Sequence, residues 1–327
     1  MSSIYSNSKL TIAWLGPATD GGDVALKTLG RMGHFQSSRN PDRPSRDYLR
    51  GYGPLLDKEF KNGFPADQVR ALLERPYWYR VWIFQEVRLP KVVYFVCGDA
   101  TVPFDLLVSA AEALYHLWYL SQDIGGPLLR EMQRLLPVLS GMPSLIRAMF
   151  HDKVIKRPLA NLLTRRGDGQ ATDKRDFVYG VLAVTNDGND LGINANYTLD
   201  PLEIYTRVAA ALICQQGRLV LLALCGGRVS RMANLPSWVP DWSYKGPAAS
   251  TFYHGCFDAG GRWYHGSAAA DGATLTLKGV LVGLVAKLGP SAGQSGDLSQ
   301  YAAALHTFAR SRCDVYTTAE GLEDAIY

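Results

Sequence analysis

The rhythm of apolar and polar positions changes several times along this 327-residue chain, and each change marks an element. "KLTIAWLG", Lys9 to Gly16, is a short apolar run closed by a Gly-Pro turn, the pattern of a buried strand whose neighbours come from elsewhere. Val24, Ala25, Leu29 and Met32 recur at helical spacing and predict a helix over Asp20 to Met32. Ser37 to Gly63 is rich in Pro, Gly, Arg and Asp and reads as a long surface loop. Ala66 to Leu73 has a helical pattern. Pro76 then suits a first helical turn, so Tyr77 to Arg88 reads as a helix stopped by Pro90. Lys91 to Gly98 follows as a strand. Asp105 is placed to cap a helix whose apolar face carries Leu106, Ala110, Leu114, Leu117 and Trp118.

The middle third is mainly helical in pattern. Leu159 to Arg165 and Lys174 to Val184 are short helices. "YTLDPLEIYTRVAAALICQQG" is a fuller one, with Asp200 as N-cap, Pro201 first, Glu203 in capping-box position and Gly217 as the stop. Beyond it Gly, Trp and Ser rise, and "ATLTLKGVLVGLVAKLG" alternates as one or two strands before a last helix over Ser299 to Arg312. The expected fold class is therefore α/β in three regions. Residues 1–99 form an α/β front, 100–230 a mainly helical region, and 231–327 a mixed, β-containing tail.

Composition narrows the function classes. Hydrophobic residues make up 47% and charged residues 20%, enough for a full core. A net charge of +4 with scattered basic residues argues against a nucleic-acid partner. The five cysteines form no C-x-x-C pair, and the six histidines are dispersed, with His254 and His265 too far apart to read as ligands. No metal or cofactor is predicted. "GPATDGG", Gly16 to Gly22, sits between a strand and a helix, where phosphates can bind, but it lacks a lysine and dinucleotide spacing and reads as a plain turn. No signal peptide and no membrane-length apolar run is evident, so a cytoplasmic location is expected.

Chemistry concentrates in "RPYWYRVWIFQEV", Arg75 to Val87. On a continuous helix Trp78, Trp82 and Glu86 fall four apart on one side, drifting about 40° per step, and Arg80 points elsewhere. Glu86 beside buried tryptophans would need a cation from another segment or would favour its neutral form. Arg175 is a candidate for that cation. A carboxylate in a dry pocket marks a candidate site, and a structural ion pair gives the same pattern. Arg175 and Asp176 open the helix of "KRDFVYG", where Asp173 and Asp176 suit capping and the helix dipole. Trp238, Asp241 and Trp242 stand in a rigid aromatic turn, "LPSWVPDWS", which suits packing on a domain surface.

Taken together these segments resemble the fungal heterokaryon incompatibility (HET) domain. "RPYWYRVWIFQEV" is similar to the family's R-P-W-F-x-R-x-W-x-x-Q-E-V segment, which singles out Arg75, Trp78, Arg80, Trp82, Gln85 and Glu86. "MSSIYSNSKLTIAWLG" resembles M-x-x-I-Y-x-x-A-x-x-x-x-x-W-L-G, with Ser8 where alanine is usual. "RDFVYGVLAV", "YTLDPLEIYTRVAAALI" and "LPSWVPDWS" resemble later family segments, in the expected order, across Met1 to Ser243. The family's opening A-L-S-Y-x-W-G and W-x-D-x-x-C-I-N-Q segments do not occur, so the chain is expected to lack the amino-terminal part of the domain.

The resemblance implies non-self recognition, in which fusion of unlike strains triggers cell death through protein partners or self-association. It also implies a truncated TIR-like (flavodoxin-like) remnant at the front. By that remote analogy, Glu86 would be the carboxylate of an NAD-cleaving hydrolase, stabilising an oxocarbenium-like state. A non-catalytic remnant is the other reading.

Overall fold

The computed structural model describes residues 2–38, 64–121, 157–164, 169–225, 232–244 and 268–278, all within the first of two units, Met1–Lys278. Residues 39–63 of the predicted Ser37–Gly63 loop, the strands beyond Lys278, the helix Ser299–Arg312 and both His254 and His265 lie outside the described residues, and Ser37 itself ends a helix.

A short helix α1 (Ser2–Ser6) leads into strand β1 (Thr11–Gly16), and a single 3-10 turn at Thr19–Gly21 opens the long helix α2 (Gly22–Ser37). Helix α3 (Ala66–Leu73), a 3-10 turn at Pro76–Tyr79 and helix α4 (Ile83–Arg88) return the chain to strand β2 (Val93–Cys97). β2 pairs parallel with β1, with Thr11 opposite Val93 and Trp14 opposite Val96. The predicted strand–helix–helix–strand order at the front thus holds, and β2 is the neighbour that β1 required. Strand β3 (Ala100–Pro103), which the sequence pattern did not indicate, pairs antiparallel with β2 to give the order β1-β2-β3. Four residues between a Gly-Asp turn and a helix are too few to show a period.

Strand alternation sorts the sheet into two faces. Ala13 and Leu15, Val93, Phe95 and Cys97, and Ala100 and Val102 are buried beneath it. There α2 contributes Ala25, Leu26, Leu29 and Met32, and α3 contributes Val69 and Leu72. Helix α5 (Phe104–Ser121) lies along α2, and a Cβ on Gly33 would fall 1.8 Å from the Leu106 carbonyl oxygen. That close approach needs glycine. The opposite face of β1 is bare: Ile12 is 62% and Trp14 54% exposed. Asp105 lies inside the first turn of α5 instead of capping it.

Downstream come helices α6 (Leu159–Thr164), α7 (Asp176–Leu182) and α8 (Pro201–Ala210). Asp200 caps α8 by accepting from the Leu202 amide at 2.7 Å, as predicted. Glu203 does not close a capping box; its carboxylate pairs with Arg207 at 2.6 Å, one turn on. A π-turn over Ala211–Gln215 follows, and Gly217, at φ 65°, ends the helix while its amide returns to the Ile213 carbonyl. Strands β4 (Ala268–Asp271) and β5 (Thr274–Leu277) form a hairpin in the predicted β-containing tail. Among the described residues no helix is long and apolar enough to cross a membrane.

Candidate functional site

The segment from Arg75 to Val87 is not one helix. Pro76–Tyr79 makes a 3-10 turn, Arg80 is extended at φ −68° and ψ 128°, and α4 begins after Trp82. The reason is a contact remote in sequence. Residues 79–81 form a strand-like bridge with Gln170, whose amide donates to the Tyr79 carbonyl at 2.6 Å and whose carbonyl accepts from the Val81 amide at 3.1 Å. Tertiary pairing overrides a helical pattern that local spacing supported.

The break redirects Arg80. Its guanidinium meets Glu86 Oε1 at 3.0 Å and stands 5.7 Å from the Tyr77 ring centroid. Two expectations are corrected here. Arg80 does pair with Glu86, because the two do not share a helix, and Arg175 is not the cation that holds it. The Tyr77 hydroxyl donates to Glu86 Oε2 at 3.0 Å, so both carboxylate oxygens are engaged. Glu86 itself is buried, at 7% exposure. Tyr5, on α1, faces the same carboxylate. Burial first, and then the Glu86 charge, push the Tyr77 phenol well above its ordinary range, and Tyr5 is raised by the same causes.

The aromatic residues around this pair split into core and margin. Trp78 is 2% exposed, stacks on Phe95 with ring centroids 5.1 Å apart, and donates its indole N–H to the Leu72 carbonyl at 2.8 Å. Trp82 is only partly buried, and its carbonyl accepts from the Gln85 and Glu86 amides in the first turn of α4. Arg75 binds backbone: it donates to the Leu15 carbonyl at 2.9 Å, to Cys97 Sγ at 3.2 Å and to the Thr19 carbonyl at 3.0 Å. It ties the carboxyl ends of β1 and β2 to the turn before α2.

Gln85 faces away from Glu86. Its buried amide Nε2 donates to the Tyr179 carbonyl of α7 at 2.9 Å, and its Oε1 has no hydrogen-bond partner. Beside it, a Cβ on Gly180 would lie 3.1 Å from the Val81 carbonyl oxygen. The front segment and the "RDFVYG" helix therefore approach closely at Gly180, where a larger residue would press on the Val81 backbone.

The remaining predicted residues form separate clusters. Arg175 donates to both Asp173 oxygens, at 2.7 Å from Nη2 to Oδ2, and to the carbonyls of Tyr197 and Leu199. Asp176 accepts from the Tyr197 hydroxyl at 2.6 Å, so Arg175 and Asp176 fasten the segment before α8. The Arg175 hydrogen bond holds the Asp173 carboxyl below its usual range, and burial pushes the Tyr197 phenol up. Asp173 also accepts from the Arg175 amide, but the N-cap of α7 is Arg175 and Asp176 is its first residue, so Asp173 stands in the turn before the helix and does not cap it. Trp238 donates to the Ala273 carbonyl in the β4–β5 turn at 2.9 Å, and Trp242 packs edge-on to Tyr205 of α8. Asp241 accepts from the Met232 and Ser243 amides and the Ser243 hydroxyl. This turn joins α8 to the hairpin. Among the described residues no group of three His, Cys, Asp or Glu is placed to hold a metal ion.

Residues 1–86 match the family model described as "Heterokaryon incompatibility protein (HET)". The front of this chain is therefore similar to the HET domain. The match ends at Glu86 itself, so the carboxylate, its Arg80 and Tyr77 partners and the Tyr5 helix all lie inside the HET segment. A relative, "Heterokaryon incompatibility protein 6, OR allele" of Neurospora crassa, is 24% identical over 292 residues, covering 77% of this chain and 42% of the relative. The chain spans less than half the length of that relative. No solved structure matches.

Sequence reasoning missed Tyr77 as a donor to Glu86 and Tyr5 as a neighbour that feels its charge. The available signal was general: a buried carboxylate needs donors for both oxygens, and Tyr5, Tyr77 and Tyr79 all stood in the quoted front segments.

Proposed function

We propose that this chain acts in fungal non-self recognition, as a heterokaryon incompatibility protein whose HET segment promotes cell death when unlike strains fuse. The observation that carries this reading is the HET match over residues 1–86, extended by similarity to an incompatibility protein along 77% of the chain. The cell-death response would engage protein partners in the cytoplasm. The parallel β1–β2 pair, joined through helices, supports a TIR-like ancestry for the front.

Glu86 acts in this reading as a structural anchor. Its oxygens are already taken by Arg80 and Tyr77, and a substrate would have to displace both. Inducible expression in a filamentous fungus tests the reading. Growth arrest is expected from the intact chain, and Glu86→Gln that still folds should retain it with cellular NAD unchanged. Loss of NAD on induction, abolished together with arrest by Glu86→Gln, would transfer the function to NAD cleavage. Normal growth at matched expression would refute the effector role.

A further inference from the structure

The sheet ends on β1 among the described residues, and that edge is undefended. The Thr11 amide donates to the Val92 carbonyl at 2.9 Å, so Thr11 faces β2, and alternation turns the amides and carbonyls of Ile12 and Trp14 to the other side. Edge strands are normally blunted by charges, prolines or bulges. Thr11 to Trp14 has no charge and no proline, and the irregularity in its pairing comes only after Trp14. Its outward side chains, Ile12 and Trp14, are the large apolar residues that remain exposed on this strand.

We infer that β1 pairs antiparallel with β1 of a second copy of this chain, making one continuous sheet across a two-fold axis. The edge is suited to itself. An axis through Ala13 sets Ile12 of each copy opposite the partner's Trp14, so two β-branched–aromatic pairs form on the bare face. The same register places opposite one another the residues whose amides and carbonyls point outward, as an antiparallel ladder requires. Charge agrees as well. Exposed Lys9 precedes the strand and exposed Asp20 follows it, so antiparallel pairing brings the basic end of each copy beside the acidic end of the other. A parallel arrangement would put like charges together.

The inference is independent of the cell-death reading, and sedimentation of the full chain over a range of concentrations tests it. A monomer–dimer equilibrium is expected. Ile12→Pro removes an outward amide while leaving the β2 side of the strand its hydrogen bonds, and should shift the dissociation constant upward at least tenfold. Trp14→Lys, at an exposed position, should do the same with an unchanged circular dichroism spectrum. A concentration-independent monomer would overturn the inference. So would a dimer that tolerates both variants, or one that Trp14→Lys dissolves and folded Ile12→Pro leaves intact, since the contact would then lie on the face and not the edge.

Discussion

The carboxylate of Glu86 reaches its cation only because the backbone leaves helical geometry at Arg80. The pair is half in water on the arginine side, with 53% of the Arg80 side chain exposed against 10% of Glu86, so its loss should cost less than a fully buried pair. Glu86→Leu also strands the buried Tyr77 hydroxyl, and a loss of about 1–3 kcal/mol is expected in denaturant titration, with a smaller loss for Glu86→Gln. The tyrosine gives a pH signature. Its folded pKa is raised above the ordinary 10.0, so its stabilising contribution is complete below that value and is lost as pH rises beyond it, where the unfolded phenol ionises and the folded one does not. Stability measured from about pH 9 to about pH 11 should fall less steeply in Tyr77→Phe than in the natural chain. The tryptophans should separate too. Trp78→Ala is expected to cost about 3–5 kcal/mol, and Trp82→Ala, at a partly buried position, clearly less. Equal losses would contradict the assignment of core and margin.

Among elements, the decisive contact is between the Val81 region and α7. Gly180→Ala would press a methyl against the Val81 carbonyl and should destabilise by about 1–3 kcal/mol. Little change in denaturant midpoint would show that α7 can move away. This contact also explains what the sequence could and could not disclose. Helices α2, α3 and α8 follow from their apolar spacing, and Asp200, Pro201 and Gly217 correctly mark the limits of the segment that runs from α8 through the π-turn, because those signals are local. The single helix read into Tyr77–Arg88 fails because Gln170, some ninety residues away in sequence, supplies the competing hydrogen bonds. Glu203 fails as a capping box for a different reason: Arg207, one turn on, offers its carboxylate a charge. Trp78, Trp82 and Glu86 were legible as a chemically dense group, while their actual partners were not.

For the whole molecule, the HET match ends where α4 meets α7, and Gln85 and Gly180 carry the front segment onto the downstream helices. In the proposed reading, residues 1–86 act through that contact, in a response triggered by non-self fusion. Its most direct test is heterokaryon survival, comparing fusions between a strain expressing the chain and an unlike strain with fusions to its own type. The account predicts collapse of the unlike heterokaryons and survival of the like ones. Equal survival of both, with the protein present and folded, would contradict it.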